Sequence, residues 1–366
     1  MQFTKKDTAL VKGVAILMML FHHCFESTSR FTGYTINFFP LTEGQTVLIA
    51  SFFKICVAIF VFLSGYGIAI SLSKVDPASP SGYIKQIRKR TFSLMSGFWI
   101  IYILSVIAAA IIMPSMLDVY RDTHLLNSIV FALYDFLGLA ELFGTPTLVG
   151  TWWYMSLALI IIAIMPLLYR LYKKFGAIPV FIITFLVCGF VKKSYSDDIV
   201  NYDMIRWTFT LELGMVFADR NLLVKIKEFK IFKKIGALDF IIKFIVLTAI
   251  FLGCLYCRKW LDWKVSYIRD GLIPAFVVIY CFVILAEIPV LRNVLQFLGK
   301  HSMNIFMSHT LLRAFFLKDF LYGLGYSMLT FLVLLGLSVL LSIAIDLIKK
   351  YSGYDKLCAK IMAKIA

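Results

Sequence analysis

Charge is scarce in this sequence. Only 16% of its 366 residues are Asp, Glu, Lys or Arg, against 61% hydrophobic, and the mean hydropathy is +0.87. That balance excludes an ordinary soluble globular chain and leaves no stretch polar enough for a separate soluble domain, so 1–366 reads as one integral-membrane unit. Acid is scarcer still: 21 Asp and Glu face 37 Lys and Arg, a formal net charge of +16. Gathered on one soluble face, such an excess would suit nucleic acid. Here the basic residues stand in short runs between apolar stretches, the pattern that orients a chain in a membrane, and no nucleic-acid partner is expected.

Other absences narrow the chemistry. The seven cysteines lie mostly in apolar stretches. Cys254 and Cys257 form a C-x-x-C, but with no second pair and no neighbouring His they read as helix packing rather than a metal or redox site. There is no metal-ligand spacing, no G-x-S-x-G elbow, no phosphate-binding P-loop and no Rossmann glycine pattern. The first apolar stretch follows lysines as a signal peptide would, yet it has no small-residue cleavage pattern and reads as a retained first helix.

What the sequence has in abundance is apolar segments of spanning length. They fall at about 11–29, 47–72, 91–113, 151–169, 177–191, 203–219, 237–256, 268–288, 302–317 and 326–347. A further amphipathic stretch, 125–143, holds Asp135 and Glu141 and is interrupted by Gly138 and Gly144. If it stays on one side, most of the Lys and Arg residues fall on the side of both termini; if it crosses, that bias collapses. The expected fold is therefore all-α: a polytopic bundle of about ten transmembrane helices, one interfacial or re-entrant helix, and both termini cytoplasmic.

The first of these segments carries the main chemical signal. In Lys12-Gly-Val-Ala-Ile-Leu-Met-Met-Leu-Phe-His-His23, Lys12 and His23 stand eleven residues apart. At about 100° and about 1.5 Å per residue they share one helix face, with His23 roughly 16 Å deeper, near the midplane. His22 points about 100° away. Ionisable groups inside a span are read first as functional, although a snorkelling Lys and a His bonded to a neighbouring helix are the bland alternative. An imidazole titrates near neutral pH and, kept neutral, can take a proton from a hydroxyl or accept an acyl group; the residues leave both roles open. Glu26 could orient that imidazole or simply be solvated at the helix end. Further along, Tyr83-Ile-Lys-Gln-Ile-Arg-Lys-Arg90 reads as a cytoplasmic loop whose cations suit a polyphosphate or serve as a topology anchor. Ser64, Arg206, Glu212, Glu287, His309 and Arg313 are the remaining polar residues within spans; His309 and Arg313, four apart, share a face that would line a cavity.

Four of these stretches carry a family resemblance. Lys12 and His23 fit an R/K-x10-H pattern, Phe62-Leu-Ser-Gly-Tyr-Gly-Ile68 is similar to an F-L-S-G-[YF] helix, and Thr151-Trp-Trp-Tyr-Met155 resembles a mid-chain tryptophan-tyrosine motif. Leu298-Gly-Lys-His-Ser-Met-Asn-Ile-Phe-Met-Ser-His309 is similar to a late G-K-x-S-[ML]-x-[IL]-[FWY]-[LM]-x-H segment. In this order they resemble the acyltransferase 3 family of integral-membrane O-acyltransferases. The resemblance implies a ten-span fold with His23 catalytic and Lys12 at the acyl-CoA mouth, where an R-x-x-R pair holds the donor. Here Lys85-x-x-Arg88 keeps that spacing with lysine first, whereas alignment on Arg90 puts Ile87 in the first position. Lys85, Arg88 and Arg90 are thus all candidate donor-binding residues, and Ser64, Glu212, His309 and Arg313 are candidates for the substrate cavity.

The expected activity is transfer of an acetyl or other short acyl group from cytoplasmic acetyl-CoA to a hydroxyl of a cell-surface glycan or lipid-linked saccharide, in a bacterial-type cell membrane. Besides the donor and the acceptor, the expected partner is membrane lipid, with no metal. Trp152, Trp153, Tyr154, Trp260 and Trp263 would then stack on sugar rings from outer loops, or form an interfacial belt. A transporter or flippase using the buried charges is the competing reading. It lacks the paired interrupted helices and repeats common in that class.

Overall fold

A computed structural model describes residues 2–194, 207–231, 236–260 and 266–365, without the side chains of 188–194, 257–260 and 266–270. Arg206 and Trp263, and the side chains of Cys188, Cys257 and Trp260, lie outside the described residues. All regular structure among the described residues is helical, apart from a single bridge between Asn37 and Tyr326.

The first helix, α1 (Lys5–Phe25), is started by a capping box in which Thr4 and Asp7 exchange hydrogen bonds; an apolar run then carries it to Glu26. A second capping box, Thr42 with Gln45, opens α2 (Glu43–Phe52), which continues through a 3-10 turn into α3 (Cys56–Leu72). Ser79 caps α4 (Pro80–Ile112) with proline at its first position, where the missing N–H costs nothing. Then come α5 (Leu125–Phe136), α6 (Trp153–Phe175), α7 (Ala177–Ser194), α8 (Thr208–Asp219), α9 (Leu222–Glu228), α10 (Gly236–Trp260) and α11 (Ser266–Val283). The chain closes with α12 (Pro289–Lys300), α13 (Ser302–Thr310) and its π-helical extension Leu311–Phe316, α14 (Lys318–Gly323), α15 (Ser327–Tyr351) and α16 (Tyr354–Ile365).

Among the described residues, six stretches are helical, long and apolar enough to cross a membrane: α1, Glu43–Leu72, α4, Gly150–Phe175, Gly236–Tyr256 and α15. Leu125–Phe136, Ala177–Val187 and Gly271–Glu287 are shorter apolar helices. Gly236–Tyr256 buries almost none of its surface, exposing Ile241, Ile245 and Leu252, as suits a helix solvated by lipid. With 12 residues, α5 is about 18 Å long, short of a hydrocarbon core of about 30 Å. Its ends also meet. Buried Asp135 accepts from the Tyr120 hydroxyl before the helix at 2.5 Å and from the Leu148 amide after it at 2.7 Å, so the chain enters and leaves at one place.

Three boundaries differ from the sequence expectation. The first helix covers Lys5–Phe25 rather than 11–29, which puts His23 in its last turn and not at mid-helix. The basic run 85–90 is no loop: Ser79 and Pro80 start α4 early, so these cations occupy its first turns. The segment 302–317 is helical through Phe316 but not α-helical throughout. Helix α13 ends after nine residues and passes into the π-helical turn.

Helices α1, α12 and α13 form the frame of the site. Gly13 and Gly299 let α12 pack antiparallel on the first half of α1, with backbone against backbone: a Cβ on Gly13 would lie 2.0 Å from the Leu295 carbonyl oxygen, and one on Gly299 1.7 Å from that of Ala9. The chain then turns at His301, and α13 runs back along α1 in the parallel sense, bringing Ser302 beside Thr8 and Lys12 and His309 to His23. On its other side α13 is held by α15. Asn304 donates to the Ser342 carbonyl at 3.2 Å and to Asp346 at 2.8 Å, and Lys349 donates to Asn304 at 2.8 Å.

Candidate active site

A cavity of about 460 Å³ opens between α1, α3, α4, α6 and α13. Lys12 and Arg90 stand toward one end, with Thr8, Gly67, Ser93 and Ser302; Phe60, Tyr154, Phe306 and Met307 line the rest, with Ser64 between. Arg90 donates to the Gly67 carbonyl at 2.7 Å and to the Ser71 hydroxyl at 2.6 Å, and its buried Nε has no partner. Lys12 has no ion-pair or hydrogen-bond partner among the described residues. No acidic side chain lines the cavity, so two cations share it without a counter-charge.

The other expected phosphate ligands lie elsewhere. Lys85 and Arg88 are three apart and share one exposed face of α4, while Arg90 is about 200° round from Arg88 and faces inward. Helical geometry thus divides a cluster that looks continuous in the sequence.

Beyond Phe306 stands a histidine cluster. The rings of His23 and His309 are 5.0 Å apart between centroids, and Phe306 meets His309 edge-on at 6.5 Å. His309 is fully buried; its Nδ1 lies 2.9 Å from the Phe306 carbonyl oxygen and 3.1 Å from that of Ile305. Those acceptors require Nδ1 to carry the proton, leaving a lone pair on Nε2, which faces the Thr310 hydroxyl at 3.2 Å. The half-buried His23 has no hydrogen bond among the described residues.

Its neighbour differs completely. His22, 6% exposed, places Nδ1 2.7 Å from the Ala50 carbonyl oxygen and Nε2 2.6 Å from a carboxylate oxygen of Glu26. Both ring nitrogens face acceptors, and neither has a lone pair to offer while the Glu26 carboxylate is ionised. Glu26 is held ionised: hydrogen bonds from His22 and then Arg30 lower its pKa to about 2, against the opposing effect of burial. Glu26 therefore orients His22, not His23 as the sequence spacing allowed.

Arg313, 4% exposed, lies in the π-helical turn one helical step past His309. Its Nε has no partner, and the hydroxyl of Tyr322 donates to the Cys24 carbonyl at 3.0 Å. Glu212, by contrast, is wholly buried in α8 and accepts from Thr184 of α7 at 2.9 Å, away from the cavity. Glu287 is half-exposed in a 3-10 turn after α11 and pairs with Lys227 at 2.6 Å, and it does not line the cavity.

A family model described as an acyltransferase domain matches residues 9–347. The chain belongs to the acyltransferase 3 family. No curated protein and no solved structure matches it. Within this acyltransferase-family chain the tryptophan-tyrosine motif has an internal place rather than an outer-loop one. Trp152 is 2% exposed and donates to the Met307 carbonyl at 2.8 Å, Thr151 meets Thr310 at 3.3 Å, and Tyr154 lines the cavity beside Ser64. These bonds fix α6 against α13, next to the histidines. Phe60 was not singled out from the sequence, though it stands two residues before the Phe62-Leu-Ser-Gly-Tyr motif; Phe306 is the aromatic position of the late motif, quoted there without a role. No group of three His, Cys, Asp or Glu side chains among the described residues could hold a metal.

Proposed function

We propose that this membrane protein is an O-acyltransferase moving an acetyl or similarly short acyl group from cytoplasmic acyl-CoA to a hydroxyl of a cell-surface glycan or its lipid-linked precursor. In this reading it crosses a bacterial cytoplasmic membrane about ten times with both termini inside, so the cavity end bearing Lys12 and Arg90 opens to the cytoplasm. The observation that carries it is the cavity itself: uncompensated cations near its mouth, and an unbonded imidazole, His23, beyond its inner wall.

The cations bind the donor phosphates, Arg90 through the free edge of its guanidinium and Lys12 as a mobile ammonium. His23 takes the proton of the acceptor hydroxyl as that oxygen attacks the thioester carbonyl. The tetrahedral oxyanion forms within the field of Arg313 and then collapses. The C–S bond breaks, and the leaving thiolate takes the proton from the His23 imidazolium, giving CoA and the ester. His309, fixed by two backbone carbonyls, positions the His23 ring.

The direct test compares the surface glycans of a deletion strain with those of the complemented strain for ester-linked acyl groups. Esters lost on deletion and restored by the wild-type gene but not by His23→Ala are the expected result. A transporter would instead leave purified protein unable to transfer acyl groups from acetyl-CoA in detergent without a gradient.

A further inference from the structure

The proposed function leaves open what sets the size of the transferred group. We infer that the rings of Phe60, Tyr154 and Phe306 are the acyl-length gauge of the cavity, admitting acetyl and excluding longer chains; this rests on the acyl-transfer reading above.

The three rings come from α3, α6 and α13 and close on one another. Centroid separations are 5.0 Å for Tyr154 and Phe306, 5.8 Å for Phe60 and Phe306, and 6.2 Å for Phe60 and Tyr154. All three line the cavity that holds Lys12 and Arg90. Phe306 is also the ring whose edge meets His309, whose own ring is tilted against that of His23 at 5.0 Å between centroids. The cluster therefore lies between the phosphate-binding cations and the imidazoles, where a thioester held by its phosphates must present its carbonyl. Carbons beyond that carbonyl have to find room among the rings.

The rings are not free to give way. Ser64, which lines the cavity with Tyr154, donates its hydroxyl to the Phe60 carbonyl at 2.8 Å and so holds the backbone that carries the Phe60 ring. Phe306 precedes Met307, whose carbonyl is held by Trp152. Phe60 and Phe306 are 9% and 6% exposed, so each presents only a small part of its surface to the cavity. In a close-packed interior a longer chain needs a ring to move, whereas removing a ring leaves apolar space that accepts methylenes.

The test supplies radiolabelled acetyl-, butyryl- and hexanoyl-CoA to membranes of the deletion strain carrying wild-type, Phe60→Ala, Phe306→Ala, Phe60→Leu or Phe306→Leu protein. Label incorporated into the endogenous acceptor is measured. Wild type should use acetyl-CoA and discriminate against hexanoyl-CoA. The hexanoyl-to-acetyl ratio should rise at least about tenfold in the Ala variants, the scale of a methylene or two in an apolar pocket. The Leu variants should show a smaller rise in the same direction, and they carry the test if the Ala variants do not accumulate. A ratio unchanged in every variant that still transfers acetyl overturns the gauge while leaving acyl transfer intact. Wild-type membranes that incorporate no label from any donor overturn the acyl-transfer reading instead.

Discussion

The ion pairs outside the central cavity and the cations that line it treat charge in opposite ways. Outside, several cations are matched: Lys173 with Asp219 at 3.0 Å, Lys227 with Glu287 at 2.6 Å, Lys243 with Asp239 at 2.8 Å, and His22 and Arg30 with Glu26. Inside, Lys12, Arg90 and Arg313 meet hydroxyls, carbonyls or nothing, and His23 has no hydrogen bond among the described residues. Unmatched polar groups within a membrane protein cost free energy, and that cost is offset when a ligand supplies the missing partners. On the proposed reading, the donor and acceptor supply the partners that the cations and imidazole of the cavity lack.

The sharpest way to break this comparison is to exchange the fates of adjacent histidines. His23→Ala should lower acyl transfer by about 10²- to 10⁴-fold, the contribution of a positioned general base, with the protein still folded. His22→Ala should act on stability instead, since it removes the partner that holds Glu26 and the α2 carbonyl; midpoint of thermal unfolding in detergent should fall while activity per folded molecule falls much less. Equal loss of specific activity in both variants would erase the distinction.

Packing supplies the next effect. Gly299→Ala pushes a methyl into the Ala9 backbone and should destabilise the protein by about 1–3 kcal/mol or more, read as reduced yield and a lower unfolding midpoint. An unchanged midpoint would mean that α12 does not rest on α1 as described.

Charge matching predicts a graded series. Arg90→Ala should weaken acetyl-CoA binding by about 1.5–3 kcal/mol, the scale of hydrogen bonds to charged groups. Lys85→Ala and Arg88→Ala remove exposed cations and should each change it by no more than about 0.5 kcal/mol. This reverses the order suggested by the family spacing, in which Lys85 and Arg88 form the pair.

Much of this was legible in the sequence. The apolar segments gave an all-helical membrane chain, and the spacing of Lys12 and His23, with the motifs at Ser64 and His309, located the residues that gather around α1. What sequence could not supply was set by contacts at long range. Whether Glu26 reaches His22 or His23 depends on where Ala50 of α2 lies, since that carbonyl fixes the His22 ring. Arg90 could not be separated from Arg88 without knowing that Ser79 and Pro80 start the helix early and so set its phase. The turn at His301 depends on two glycines more than 280 residues apart, Gly13 and Gly299, and their partnership has no local signature. The aromatic residues of 152–154 read as an outer belt because periodicity cannot tell an interfacial ring from one facing an internal cavity.

The central claim, that the unmatched cations of the cavity hold the donor, is tested most directly by acetyl-CoA affinity in purified protein with the charge reversed at two positions on one helix. Arg90→Glu should abolish measurable binding, and Arg88→Glu, two residues away on the exposed face, should leave the dissociation constant within about a factor of two. Equal weakening by both, or retained binding in Arg90→Glu with loss in Arg88→Glu, would contradict the account and place the donor on the outer face of α4.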